Sequence, residues 1–276
     1  MENGVQSKLR VVALLFFVAA THYPADAQEA PAPIEFFPGS KVFPLFTADG
    51  LSHQFSVSRV TDNRDWIAAI GGSIPLAELR LPAMTMQGSV AVTIFNRLIK
   101  TPGHLTVYTI DYKVDIPIDF RFSELALRVA AGHISSHFAD DAIELLGKKS
   151  IQHVNDYVTL AAAYDLAAIH GYVYAGCNYS YSTVPIPNRP WLFQVGAEFA
   201  NVGLFNEVSM YGAVDVKVEE EVGWGSTRSF QLGFKLFQRH NYGLRLAYTL
   251  RMGYEDRGQF YLSQETRNLL SAYIDF

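Results

Sequence analysis

From residue 108 to residue 122 the chain alternates strictly between apolar and polar positions. The even positions are Tyr108, Ile110, Tyr112, Val114, Ile116, Ile118, Phe120 and Phe122, and between them lie Thr109, Asp111, Lys113, Asp115, Pro117, Asp119 and Arg121. A strand sends successive side chains to opposite faces, so this one has a wholly apolar face and a charged one. At a tilt near ~45° the segment rises roughly 33 Å, enough to cross a bilayer's hydrocarbon. Only Pro117 is awkward, because it removes a ladder donor. The alternation recurs in residues 229–236, 244–254 and 214–219, and more weakly in 66–76, 90–98, 125–135 and 191–201. Residues 51–61 and 171–182 are placed as strands mainly by spacing. The last strand carries Leu270, Ala272, Ile274 and the terminal Phe276 on one parity. The pattern predicts an all-β fold, an antiparallel transmembrane β-barrel of about twelve strands, an even number as single-chain bacterial barrels have.

A water-soluble barrel or sandwich would alternate too. Two features favour the membrane. The charged parity carries ions of both signs at close spacing, as a salt-bridged lumen requires, and the apolar parity is rich in aromatics near strand ends, as interfacial girdles are. With both termini periplasmic, the longest connection, between Ser136 and Asn155, falls at the cell surface. No later segment reads as a spanning helix, which needs about 20 apolar residues. The nearest, residues 157–177, is broken by Asp165 and His170.

The first residues read as an address. Lys8 and Arg10 precede an apolar run at 11–20, and Ala25-Asp26-Ala27 supplies a small-residue cleavage pattern. The domains predicted are therefore a signal peptide at 1–27, an ordered periplasmic lead-in at 28–50 and the barrel at 51–276. Cys177 is the only cysteine, so no intrachain disulfide forms. The net charge of −5 and the absence of a basic run argue against nucleic acid as a partner. The partners expected are outer-membrane lipid and, through the strand ending in Phe276, the barrel-assembly machinery.

Several segments resemble a bacterial family known as domain of unknown function 1207. They are the run from Phe43 through Pro44, Leu45, Phe46, Thr47 and Ala48 to Asp49, the cluster Gly132-His133-Ile134-Ser135-Ser136-His137-Phe138-Ala139-Asp140-Asp141, and Asn155-Asp156-Tyr157. The strand around Asp111-Tyr112 is similar as well. Where that resemblance leads one to expect Gly-Asp-Glu after the second histidine, this chain has Ala139-Asp140-Asp141. The resemblance implies an outer-membrane barrel and no established activity.

His133 and Ser135 share the parity of Leu127, Val129 and Ala131, and so are expected on the lipid side near the outer leaflet. This His-x-Ser pair is similar to the one used by outer-membrane phospholipase A and the lipid A deacylases. The imidazole would take the serine proton and a third group would orient the ring. Asn155 and Asp156 are the candidates for that group. Parity puts Asp156 with Val158 and Leu160, and Asn155 inward unless a bulge intervenes. A metal reading uses His133, His137, Asp140 and Asp141 as ligands. Rim residues that merely bond loop backbone, His153 among them, are the plainer reading. No cofactor fingerprint is present, and calcium is admissible only with a hydrolase. The functions open to the sequence are thus a structural or recognition barrel at the cell surface, a serine esterase acting on lipid, and a narrow pore. Ion pairs among the inward Asp111, Lys113, Asp115, Asp119, Arg121, Arg128, Arg245 and Arg251 would plug a pore so small.

Overall fold

The computed structural model describes residues 34–63, 65–147, 149–185, 189–205, 207–239 and 242–276. The predicted signal peptide and residues 28–33 of the lead-in lie outside these. Among the described residues there are thirteen strands: β1 (Ile34–Phe36), β2 (Phe55–Val60), β3 (Asp65–Arg80), β4 (Thr85–Thr101), β5 (His104–Phe122), β6 (Leu125–Phe138), β7 (His153–Leu166), β8 (Gly171–Val184), β9 (Trp191–Phe205), β10 (Val208–Glu219), β11 (Gly225–Arg239), β12 (Tyr242–Tyr254) and β13 (Gln264–Asp275). A short helix, α1 (Asp140–Leu146), follows β6. Each strand from β2 to β13 pairs antiparallel with its neighbour in sequence. The barrel of twelve closes where β13 pairs with β2, Ile274 against Phe55 and Leu269 against Val60.

Sequence chemistry explains the turns. β4 and β5 are joined by Pro102-Gly103, with Gly103 at φ 93°, the pairing a type II turn needs. At Ile116 and Pro117 the ladder to β4 lapses, as a missing N–H requires. The long connections, 139–152 and 255–263, gather at one end, which the sequence reading places at the cell surface.

The predicted faces hold. Ile70, Val92, Ile116, Leu160, Leu232 and Leu270 are exposed on the outer wall, while Asp111, Asp119, Arg245 and Arg251 are buried inside. No helix among the described residues is long and apolar enough to cross a membrane, so any crossing is by strands. Tyr108 is a correction. It turns inward, buried against Phe138, because a bulge shifts the pairing with β4 between Arg97 and Leu98 and reverses the parity beyond it.

The lead-in is a second correction, since it does not stay below the barrel. β1 lies in the wall against residues 77–79 of β3, and the chain then turns into the lumen before returning as β2. Phe43 packs on Ala126, Ala161, Ala163 and Tyr174, and Ala48 on Tyr211, Ala213, Ala247 and Tyr273. All of these are inward side chains, and the small ones leave room for the plug. Polar contacts fix it. Lys217 Nζ meets Asp49 at 2.5 Å, His53 Nε2 meets Asp115 at 2.7 Å, and Lys113 Nζ donates to the Leu51 carbonyl at 2.9 Å. Burial pushes the His53 imidazole down, against the opposing pull of Asp115, which favours the neutral ring.

From the other end residues 255–263 fold inward. Asp256 meets Arg251 at 3.1 Å and Lys217 at 3.3 Å, so a single lysine ties the two plugs together. The remaining space is a lumenal cavity of about 440 Å³.

Two expected results follow. Val114→Arg places a charge on the outer face at mid-depth and should cost about 2–4 kcal/mol. Lys113→Val removes the hydrogen bond to Leu51 of the plug and a 3.5 Å contact with Asp115, and should cost about 1–2 kcal/mol. Urea unfolding of the two variants in lipid tests this, and the reverse order would mean the faces are inverted. In planar bilayers the wild-type protein should give no stable conductance steps; large steady steps would mean that the plugs leave the lumen.

Candidate active site on the outer wall

β6 carries the site because its alternation is unbroken. Ala126, Arg128, Ala130, Gly132, Ile134, Ser136 and Phe138 point inward, and Leu127, Val129, Ala131, His133, Ser135 and His137 outward. The β6–β7 ladder sets His133 against Asp156 and Ser135 against Val154. His133 Nδ1 lies 2.6 Å from Asp156 Oδ1, with the side chains 45% and 32% exposed. An Nδ1–H donating to a carboxylate fixes the tautomer and leaves Nε2 as the proton acceptor. Ser135 stands two residues along the same face, roughly 6.6 Å away by strand geometry. No hydrogen bond joins Ser135 Oγ to the ring among the described contacts; such catalytic bonds commonly tighten only with substrate bound.

The structure separates the two partner candidates. Asp156 reaches the ring, whereas Asn155 points into the lumen, where its Oδ1 is buried without a partner among the described residues. The only bulge nearby, between Asp156 and Tyr157, affects pairing with β8 and leaves the β6 register intact. The metal candidates are not gathered. His137 faces outward beside Tyr112, Asp140 and Asp141 open α1, and no group of three or more His, Cys, Asp or Glu side chains able to hold an ion exists among the described residues. His153 is buried with Nε2 3.0 Å from Glu221.

One contributor escaped the sequence reading. Residues 255–263 brace β6 from within: Gln259 Nε2 donates to the Ser136 carbonyl at 2.8 Å, and the Gln259 amide to Ser136 Oγ at 3.2 Å. Phe260 stacks on Tyr108 at 5.6 Å and meets Phe138 edge-on at 5.6 Å. The segment that presents His133 and Ser135 is therefore held rigid from the lumen side. The dense charges Glu255-Asp256-Arg257 were the available signal for this.

A family model described as a protein of unknown function (DUF1207) matches residues 44–270. The chain belongs to this family. The match begins at Pro44, so the family's common part includes most of the plug as well as the wall. No curated protein matches the chain. Among solved structures it resembles outer membrane phospholipase A from Escherichia coli, with a TM-score of 0.52 at 13% identity over 86% of this chain and 97% of that one. The outer membrane protein OmpT of Vibrio cholerae aligns with a TM-score of 0.40 at 8% identity over 90% and 99% of the two chains. A Salmonella typhi outer membrane phospholipase dimer, similar with a TM-score of 0.49 at 14% identity over 80% and 89%, has calcium bound. These are likenesses of fold. A closed antiparallel barrel with an apolar outer wall is the architecture of an outer-membrane protein, and this family member has it.

Proposed function

We propose that the protein is a serine hydrolase of acyl esters in outer-membrane lipid. The bond between His133 Nδ1 and Asp156 on the membrane-facing wall, with a serine two residues along the same face, carries the reading. Ser135 Oγ attacks the ester carbonyl while His133 Nε2 takes its proton. The imidazolium, stabilised by Asp156, then gives that proton to the departing alcohol oxygen. Water attacks the acyl-serine by the same route in reverse, releasing the fatty acid and restoring the serine. The likeness to a phospholipase makes phospholipid the first substrate to try. Beside Ser135 the outer face presents Tyr112, Val154 and His137, which is not the set of six to eight oxygens that calcium takes. The test is fatty-acid release by the purified, folded protein from diacyl phospholipid and from lipopolysaccharide, with and without calcium. Release from either supports the proposal. No release from both returns the protein to a structural role at the surface.

A further inference from the structure

The wall has an opening. β3 is paired with β4 along its length, but on its other side β2 covers only residues 66–69 and β1 only 77–79. The Phe37 amide extends that cover by one bond, to the Leu76 carbonyl at 3.0 Å. Residues 70–75, the middle of the strand, have no strand beside them on that side among the described residues. Unpaired backbone at hydrocarbon depth is tolerated only where it is buried in protein or lines a watery space. Both conditions apply. The ring of Phe276 lies so close over Gly72 that a Cβ there would meet it at 2.7 Å, and Lys41 donates to the Phe276 carbonyl. Behind the opening lies the lumenal cavity, whose lining includes Gly71, Gly72, Ser73 and Phe276 as well as Gln54, Asn155 and Arg245.

The two sides of the opening differ in character. On the membrane side it is rimmed by exposed Phe37, Phe55, Ile70, Ile74 and Ile274. Inside, Gln54 Oε1 and Asn155 Oδ1 are buried acceptors with no partner among the described residues. Of the cations lining the cavity, Lys41 is engaged with the chain end and Lys113 with Leu51 and Asp115, whereas Arg245, bonded through Nε to Asp275 beside Phe276, has Nη1 and Nη2 buried without a hydrogen-bond partner among the described residues. The vacant valences are therefore acceptors on Gln54 and Asn155 and donors on Arg245, which together call for a zwitterionic head carrying an ammonium and a phosphate, while the rim calls for an acyl chain. The volume of about 440 Å³ suits a small molecule.

We infer that residues 70–75 and Phe276 frame a lateral portal through which a single-chain lipid with an amine head, a lysophosphatidylethanolamine, seats its head in the lumen and leaves its chain in the membrane. This does not rest on the hydrolase reading. The test uses the full folded protein in phosphatidylcholine vesicles, with lysophosphatidylethanolamine carrying a photoreactive group near the head end of its chain. Labelling of residues 41–55 and 70–76 should exceed that of the equally lipid-exposed β11 by about fivefold or more, the ratio one hydrogen bond supports. Ile74→Trp, which narrows the rim, and Gln54→Leu should each lower the excess, and Leu232→Trp on β11 should not. Heat-modifiable gel migration verifies that each variant is folded. Phe276 is left intact because the terminal aromatic is also the expected assembly signal. Even labelling around the barrel by the wild-type protein would overturn the portal. Equal enrichment with a photoreactive fatty acid would overturn the assignment of the head.

Discussion

Replacing Ser135 with alanine is expected to lower fatty-acid release by about 10⁴-fold or more, and His133→Ala by a similar factor, because nucleophile and base act as one unit. Asp156→Ala should cost less, about 10²–10⁴-fold, since it orients the ring and stabilises the imidazolium without bonding to substrate. Two neighbours serve as controls. Ser136 points into the lumen and keeps the Gln259 Nε2 bond to its carbonyl when the hydroxyl is removed, and Asn155 faces the lumen, so alanine at either should leave the rate close to wild type. Initial rates on dispersed phospholipid, with each variant shown to be folded by its gel mobility, decide the matter. If Ser135→Ala keeps the wild-type rate, the cluster is a polar rim and the nucleophile is elsewhere or absent.

Lys217→Met should be the most destabilising single change in the lumen, at about 3–5 kcal/mol. The ammonium is almost wholly buried between Asp49 of the inner plug and Asp256 of the outer one. Removing it leaves two buried carboxylates facing each other with less compensation. Asp49 and Asp256 are both held below the usual carboxylate range: burial alone would raise them, but Lys217 prevails at Asp49, and Arg251 and Lys217 at Asp256. Because these folded-state values are depressed, their stabilisation is fully present above the unfolded value near ~4 and fades as pH falls through the folded one. Denaturant midpoints of wild type and variant at neutral pH test the first claim. A shift no larger than that of Lys113→Val would show that the two plugs are held independently.

The wall was legible in the sequence because a barrel strand must keep its apolar side chains on lipid, and in residues 109–122 that constraint shows at nearly every position. It failed at Tyr108, where a bulge reverses the parity and nothing local announces it. The plug was illegible for a different reason. Phe43, Phe46 and Ala48 are buried by side chains from β6 to β13, and the small residues that make room for them, Ala126, Ala161 and Ala213, have no periodic relation to the lead-in. At the site, parity alone put His133, Ser135 and Asp156 outside and Asn155 inside. That His133 and Asp156 are directly opposed depends on the register across a connection of fourteen residues, 139–152, whose geometry the pattern does not encode.

The inner plug is anchored to the wall at both ends, through β1 below and β2 above. It is therefore not a cork on a single string but a closed loop of residues 37–54, and breaking its ion pairs does not let it depart. Freed, such a loop stays near its lumenal partners at an effective concentration on the order of millimolar, and the entropy it gains grows only with the logarithm of its length. Detachment should therefore be brief and self-reversing, so the lumen would open in short excursions instead of switching between two lasting states.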